Sequence, residues 1–369
     1  MNEETYACLA LSLVPGMGRQ CLHQILQRCG DPRDFLRNPP RKVGRVSLSR
    51  EIHTFLSSGR ARRTADQVIG DSSRKGIKIL SAFDAEFPHL LKQIFDPPVI
   101  LYALGDLEYL RRPSVAVVGS RRCSVYGKEV TRKITREISS QGLCVVSGMA
   151  RGIDSQAHRG SLQGGGATVA VLGSGVDVVY PRENRRLYRD ICEQGCVISE
   201  FPCGSFPAPR NFPLRNRIIS GLCFGTLITE AAEFSGSLIT ARLTLEQDRE
   251  LWAVPGNILN PGSYGPNHLI QQGARVVLNG QDILEALPPY VLDLLSKAPI
   301  PSNPSIPCRL TPEEEGVVAL LSSEAAFHFD LLLRRSALKM TVLNEILLNL
   351  EMKGVLRQLP GRRFSRILN

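Results

Sequence analysis

No stretch of this 369-residue chain reaches the roughly eighteen consecutive apolar positions that a membrane-crossing helix needs, so nothing in it is expected to span a bilayer. The first residues, Met1 to Thr5, are acidic, and the apolar run after them is too short for a secretory signal, which predicts a cytoplasmic protein. Cysteine is present at 10 positions, yet no C-x-x-C pair occurs. Cys192, Cys196 and Cys203 lie closest together, in a spacing that matches no zinc pattern and with no histidine nearby, so reduced thiols and no metal are expected. Aromatic residues make up only 6%, which leaves few stacking platforms and gives each exposed ring more weight. The dinucleotide fingerprint G-x-G-x-x-G is also missing where it would have to stand: after the strand at Val115 to Val118 only Gly119 is in place, followed by Ser120, Arg121 and Arg122.

What is present is an ordinary globular composition, 43% hydrophobic and 22% charged, of a length that suits two or three domains. The formal charge of +10 favours polyanionic partners. The organising stretch is residues 113–154. Val115 to Val118 reads as a strand buried on both faces, Val130, Ile134 and Ile138 give a helix one apolar stripe, and Leu143 to Val146 is a second buried strand. This is a βαβ unit, and its two strand ends, Gly119-Ser120-Arg121 and Ser147-Gly148 with Arg151, are expected to face one crevice. Small residues at a helix N-terminus suit an anion, and the flanking Arg111, Arg112, Lys128, Arg132, Lys133 and Arg136 against Glu129 suggest a phosphate chain; the same charges also fit a solvated helix face.

Further strands at residues 167–172, 225–229, 250–254 and 274–278 alternate with helices, which predicts a doubly wound Rossmann-like α/β domain over residues 76–287. Residues 1–75 read as small helices of a SAM-like or helix-hairpin-helix domain. The turn around Pro15-Gly16 could present backbone N–H groups to a nucleic-acid backbone or be simply a good turn. Prolines at 288, 289, 299, 301, 304 and 307 mark residues 288–311 as a linker. Residues 312–369 fit three helices and two strands about Pro360-Gly361, a winged helix open to either duplex DNA or a protein.

Two constellations compete for function. In FPAPRNFPLRNR (206–217), Arg210, Arg215 and Arg217 surround Asn211 and Phe212, as in sites that hold single strands by charge and stacking; the alternative puts Phe212 in the core and pairs Arg215 and Arg217 with Glu200 or Glu230. Gly225-Thr226 with Glu230, and Ser235-Gly236-Ser237 before a helix, could instead serve an enzyme acting near a glycosidic bond, although no second acid accompanies Glu230. His158 and His268 have no catalytic or ligand pattern and are expected in core or capping roles.

The segments GSRRCSVYG (119–127), SGMARGID (147–154), VLGSGVDVVYPREN (171–184), ISEFPCG (198–204), FPLRNRIISGL (212–222), EAAEFSGSLITA (230–241) and AVPGNILNPGSYGPNHLIQQGA (253–274), in this order, closely resemble the DNA-processing protein A family, DprA or Smf. The resemblance implies a homodimer through the Rossmann-like domain that binds single-stranded DNA, loads RecA onto it and helps displace single-strand-binding protein, without enzymatic activity, metal or cofactor. It implies that the DNA lies in a basic pocket that includes the arginine of the G-S-R turn, Arg121 here, with Arg210 and Phe212 nearest to the family's basic and aromatic positions. The expected DNA-binding set is thus Gly119, Ser120, Arg121, Arg122, Ser147, Gly148, Arg151, Arg210, Asn211, Phe212, Arg215 and Arg217. A more distant resemblance is to phosphoribohydrolase-like nucleotide-binding enzymes, whose G-G-x-G-T-x-x-E motif is only partly matched by Gly225, Thr226 and Glu230.

Overall fold

The computed structural model describes residues 1–43, 46–297, 311–321, 327–336, 338–352, 355–359 and 361–366. It divides into two compact units, Met1–Pro301 and Ser302–Asn369.

The first unit opens with α1 (Glu3–Ser12), α2 (Arg19–Cys29), α3 (Pro32–Arg37), the short strands β1 (Lys42–Val43) and β2 (Val46–Ser47), α4 (Arg50–Ser57) and α5 (Arg60–Arg74). These helices have no core of their own. Leu9, Leu11, Val14, Leu22 and Ile25 share one apolar cluster with Ile79, Ile100, Tyr102 and Val197 of the sheet, so the segment expected as a separate domain covers one end of that sheet. The Pro15-Gly16 turn is tight, with Gly16 at φ +80°, and its Met17 and Gly18 N–H groups donate to Val14 and Gly16 carbonyls at 3.1 Å each. Those two donors are therefore satisfied within the turn.

Then follow β3 (Lys78–Ser81), α6 (His89–Lys92), β4 (Ile100–Gly105), β5 (Ser114–Val118), α7 (Val125–Ser140), β6 (Cys144–Ser147), α8 (Ile153–Gln163), β7 (Thr168–Val171), α9 (Arg185–Gln194), β8 (Cys196–Ser199), α10 (Asn211–Gly221), β9 (Gly225–Ile228), α11 (Gly236–Glu246), β10 (Glu250–Ala253), α12 (Tyr264–Gln271), β11 (Arg275–Val276) and α13 (Gly280–Leu284). The strands form a nine-stranded sheet in the order β11-β10-β9-β5-β6-β7-β8-β4-β3. From β11 to β8 every pairing is parallel, and β4 and β3 join antiparallel at the edge. The inner strands β5, β6, β7, β8 and β9 are buried along their whole length, as continuous apolar runs covered by helices on both faces should be. The chain enters this sheet at its antiparallel edge with β3 and β4, begins the parallel part in the middle at β5, winds back toward β4 as far as β8, then crosses over to lay β9 on the other side of β5. That reversal opens a crevice beyond the carboxyl ends of β5 and β9.

The proline-rich stretch does not begin as a linker. Pro289–Lys297 forms α14, because proline is well tolerated in a helix's first turn and Val291 and Leu295, four residues apart, are buried in one cluster with Ile138 and Leu143. The remaining linker residues 298–310 lie outside the described residues.

The second unit contains α15 (Pro312–Ala319), β12 (Phe327–His328), α16 (Phe329–Ser336), α17 (Met340–Met352), β13 (Leu356–Leu359) and β14 (Arg363–Arg366). Its sheet runs β12-β14-β13, so the two expected wing strands are joined by a third, and Val317, Leu332, Leu343, Leu347 and Phe364 share one core. This is a winged helix. Pro360 of the expected turn lies outside the described residues, and Gly361 has φ +81°.

Candidate nucleic-acid interface

The loops at the carboxyl ends of the central strands are tied to one another by backbone bonds. Ser120 donates its N–H to the Glu230 carbonyl at 2.6 Å, and its own carbonyl accepts the Ile153 N–H at 3.1 Å, which joins the ends of β5 and β9 to the start of α8. Ser120 Oγ accepts the Arg122 N–H at 3.1 Å, and Ser124 Oγ caps α7 by accepting the Gly127 N–H at 3.0 Å. With the loop backbone so fixed, the Arg121 and Arg122 side chains are left exposed.

Arg121 does not point away from the protein. Its guanidinium carbon sits 5.1 Å from the centre of the Phe212 ring, a cation–π contact. Phe212 stands in the first turn of α10. The Tyr180 ring lies 5.9 Å from it, and the Arg215 guanidinium carbon lies 6.0 Å from its centre. Gly119, Ser120, Arg121, Arg122, Phe212 and Arg215 line a crevice of about 1070 Å³ that extends past Asp154 and Glu230 to Phe234 and Tyr264. A small recess of about 60 Å³ opens beside it between Arg121, Gly148, Arg151, Tyr180, Phe212 and Arg215.

Arg215 carries the buried charge of this site. It is only 4% exposed, and its Nη1 donates to the Val171 carbonyl at 2.8 Å. The guanidinium lies directly over Gly148, where an added Cβ would stand 1.6 Å from Nη1. Burial lowers its pKa to about 10, opposed by the attraction of Asp154 and assisted by the repulsion of Arg121, so it stays charged at neutral pH. Burial likewise raises the pKa of Asp154, against the pull of Arg215 and Arg121. Behind them His158 is fully buried. Burial first, and the charge of Arg215 second, push its pKa down to about 3. Its Nδ1 lies 2.7 Å from Thr168 Oγ1, which itself donates to the Val145 carbonyl, so His158 is neutral with Nδ1 as the donor.

Several expected contacts turn out to be scaffold. Ser147 is buried and donates from Oγ to the Val117 carbonyl at 2.7 Å, locking β6 to β5, so it offers nothing to the crevice. Asn211 is buried with its Nδ2 on the Gly173 carbonyl at 3.0 Å and anchors the start of α10. Arg217, two positions from Arg215, faces the other side of α10; its Nη2 bonds both Glu200 oxygens at 2.6 and 2.7 Å, and its Nε lies 3.4 Å from Asp96. Arg151 is exposed at the smaller recess and paired with Glu183. Arg210 is exposed at the N-cap of α10 and does not line the crevice. The basic residues flanking the βαβ unit are dispersed: Arg132 holds Gln156 at 2.6 Å, Lys133 pairs with Glu137 at 4.0 Å, and Arg112 lies over Tyr109 at 5.1 Å. Charge density at the crevice thus comes from Arg121, Arg122 and Arg215.

Glu230, the acid of the alternative enzyme reading, is buried. Oε2 accepts the Ser124 N–H at 2.8 Å and Oε1 faces Asn260 Nδ2 at 3.4 Å, while an added Cβ on Gly127 would come within 2.2 Å of Oε2. The carboxylate is built into the N-terminus of α7, where the helix dipole favours it. Tyr180 and Asp154 were missed in the sequence; both follow parallel strands of the domain, and that position was the available signal.

Fold and site together define a Rossmann-like domain with a basic, aromatic crevice at its topological switch point. Residues 78–288 match the family model for DNA recombination-mediator protein A, and residues 300–362 match that for the DprA winged helix domain. The chain is 47% identical over 204 residues to the DNA processing protein DprA of Streptococcus pneumoniae, covering 55% of this chain and 72% of the relative. The X-ray structure of DprA from Streptococcus pneumoniae superposes with a TM-score of 0.66 at 37% identity, over 78% of this chain and 99% of that one. DNA processing protein A from Helicobacter pylori, solved for its single-stranded DNA binding mode, gives a TM-score of 0.52 at 30% identity, over 57% of this chain and 94% of that one. The chain belongs to the DNA recombination-mediator protein A family.

Proposed function

We propose that this protein binds single-stranded DNA, with little sequence preference, in the crevice at the ends of β5, β6, β7 and β9. The observation that carries the reading is the Arg121 guanidinium held 5.1 Å over the Phe212 ring at the mouth of that crevice, beside Tyr180. A base can stack on the aromatic pair while Arg121 and Arg122 meet its flanking phosphates, and neither contact reads a base edge. The Helicobacter pylori relative's single-strand binding supports the same assignment. In this reading the protein is not an enzyme and works in the cytoplasm, where it protects the strand, loads RecA onto it and helps displace single-strand-binding protein. It acts as a homodimer through the Rossmann-like domain, and the edge strand β11, with Val276 exposed on it and Leu278 exposed just after it, is the natural place for a second copy to pair.

The test is fluorescence anisotropy with labelled single-stranded and duplex DNA of equal length across a salt series. Wild type should prefer the single strand, and Arg121→Ala should lose affinity on every sequence alike. Equal affinity for both forms, or an unchanged mutant, would remove the crevice from DNA binding.

A further inference from the structure

We infer that the DNA track continues beyond Phe212 across the crevice to Phe234, a second stacking platform that sets how long a strand the site engages. The inference rests on the single-strand reading above.

Phe234 lies in the loop between β9 and α11, lines the same 1070 Å³ crevice as Phe212, and is 94% exposed. Phe95 and Phe206 are also largely exposed, but Phe234, unlike them, stands in the wall of this crevice, where its open ring face is available to whatever the crevice holds. The other aromatic residue at that end, Tyr264, is already stacked on His268, with ring centres 5.7 Å apart at 18°. Among the described residues no ring or guanidinium covers Phe234.

The sheet order sets the span. Tyr180 follows β7, and Phe234 follows β9, three strands away through β6 and β5. At about 4.8 Å per strand this is roughly 14 Å, a few nucleotides of an extended strand. A chain crossing the carboxyl ends of the sheet would meet Tyr180 and Phe212 first, pass Arg121 and Arg122, and reach Phe234 next to the N-terminal turn of α11, whose Gly236 is open enough to take a Cβ with nothing within 4 Å. Ring, cations and ring in sequence form the alternation that holds single strands by stacking and phosphate contact.

The experiment is anisotropy with thymidine oligonucleotides of increasing length for wild type, Phe234→Ala and Phe234→Trp. Phe234→Ala should leave the shortest bound oligonucleotides unaffected and weaken longer ones by about tenfold, as expected for one lost stacking platform. Phe234→Trp should retain affinity, and its emission should be quenched by the longer oligonucleotides over the constant background of the one natural tryptophan, the fully buried Trp252. If wild type binds but Phe234→Ala matches it at every length and the tryptophan at 234 is not quenched, the second platform is refuted while the crevice stands. If wild type fails to bind single strands at all, both readings fall.

Discussion

At the scale of single residues, the site depends on a buried cation held against a glycine. Gly148→Ala would place a methyl group 1.6 Å from Arg215 Nη1 and drive the guanidinium off the Val171 carbonyl. Leaving that carbonyl and the displaced cation unpartnered should destabilise the protein by about 1–3 kcal/mol and weaken single-strand binding, read as a lower denaturation midpoint together with a lower anisotropy affinity. His158 adds a pH dependence to the same region. An unfolded histidine takes up a proton near pH 6.5, whereas this one resists until about pH 3, so between those values the unfolded state binds the extra proton. The contribution is therefore fully present above pH 6.5 and falls as the pH drops, by about 1.4 kcal/mol per unit inside the window. Denaturation midpoints at pH 7 and pH 5 should fall further for wild type than for His158→Gln; equal slopes would show that His158 is not held neutral.

At the scale of elements, α10 sorts the arginines of the R-N-R motif to opposite faces. Arg215 looks toward the crevice, and Arg217 toward Glu200 and Asp96. Arg217→Ala should therefore destabilise the fold by about 1–3 kcal/mol, because Glu200 loses its two short hydrogen bonds while Asp96 keeps its 2.9 Å pair with Arg19, and leave the affinity of the folded protein for DNA unchanged. A loss of affinity without a loss of stability would return Arg217 to the binding surface. The βαβ unit at residues 113–154 was legible because its strands are continuous apolar runs and its helix has a four-residue stripe, signals that survive without tertiary context. What was not legible depended on which way a polar side chain turns. Ser147 at a strand end could face a ligand or its neighbouring strand, and spacing alone does not separate the two. Arg215 and Arg217 differ by two positions on a helix, enough to reverse their environment, and only the acid at 200 marks the structural one. The helix over 289–297 was hidden by its prolines, since composition outweighed the Val291 and Leu295 spacing that docks it.

At the scale of the whole molecule, a net charge of +10 would suit DNA binding anywhere on the surface, so the question is which unit uses it. The second unit does not place its cations where a winged helix reads duplex DNA. Its third helix, α17, has the sequence MTVLNEILLNLEM, without lysine or arginine and with Glu345 and Glu351 exposed. Phosphates approaching that helix would meet acids. Two of its arginines are engaged with aromatic rings, Arg335 with Phe327 at 5.8 Å and Arg362 with Phe329 at 5.1 Å. Removing residues 302–369 should accordingly leave single-strand affinity within about twofold of the full chain and keep duplex affinity low in both. The salt dependence should then report the crevice alone. With Arg121, Arg122 and one or two of the neighbouring exposed arginines each neutralising a phosphate, the slope of log affinity against log salt should be about −2 to −3, since each contact on a single strand contributes about −0.7. Arg121→Ala should make it shallower by about that one increment in the full chain and in the truncated one alike. A slope that instead collapses on truncation would move the dominant phosphate contacts to the winged helix, and with them the reading of the crevice as the principal DNA site.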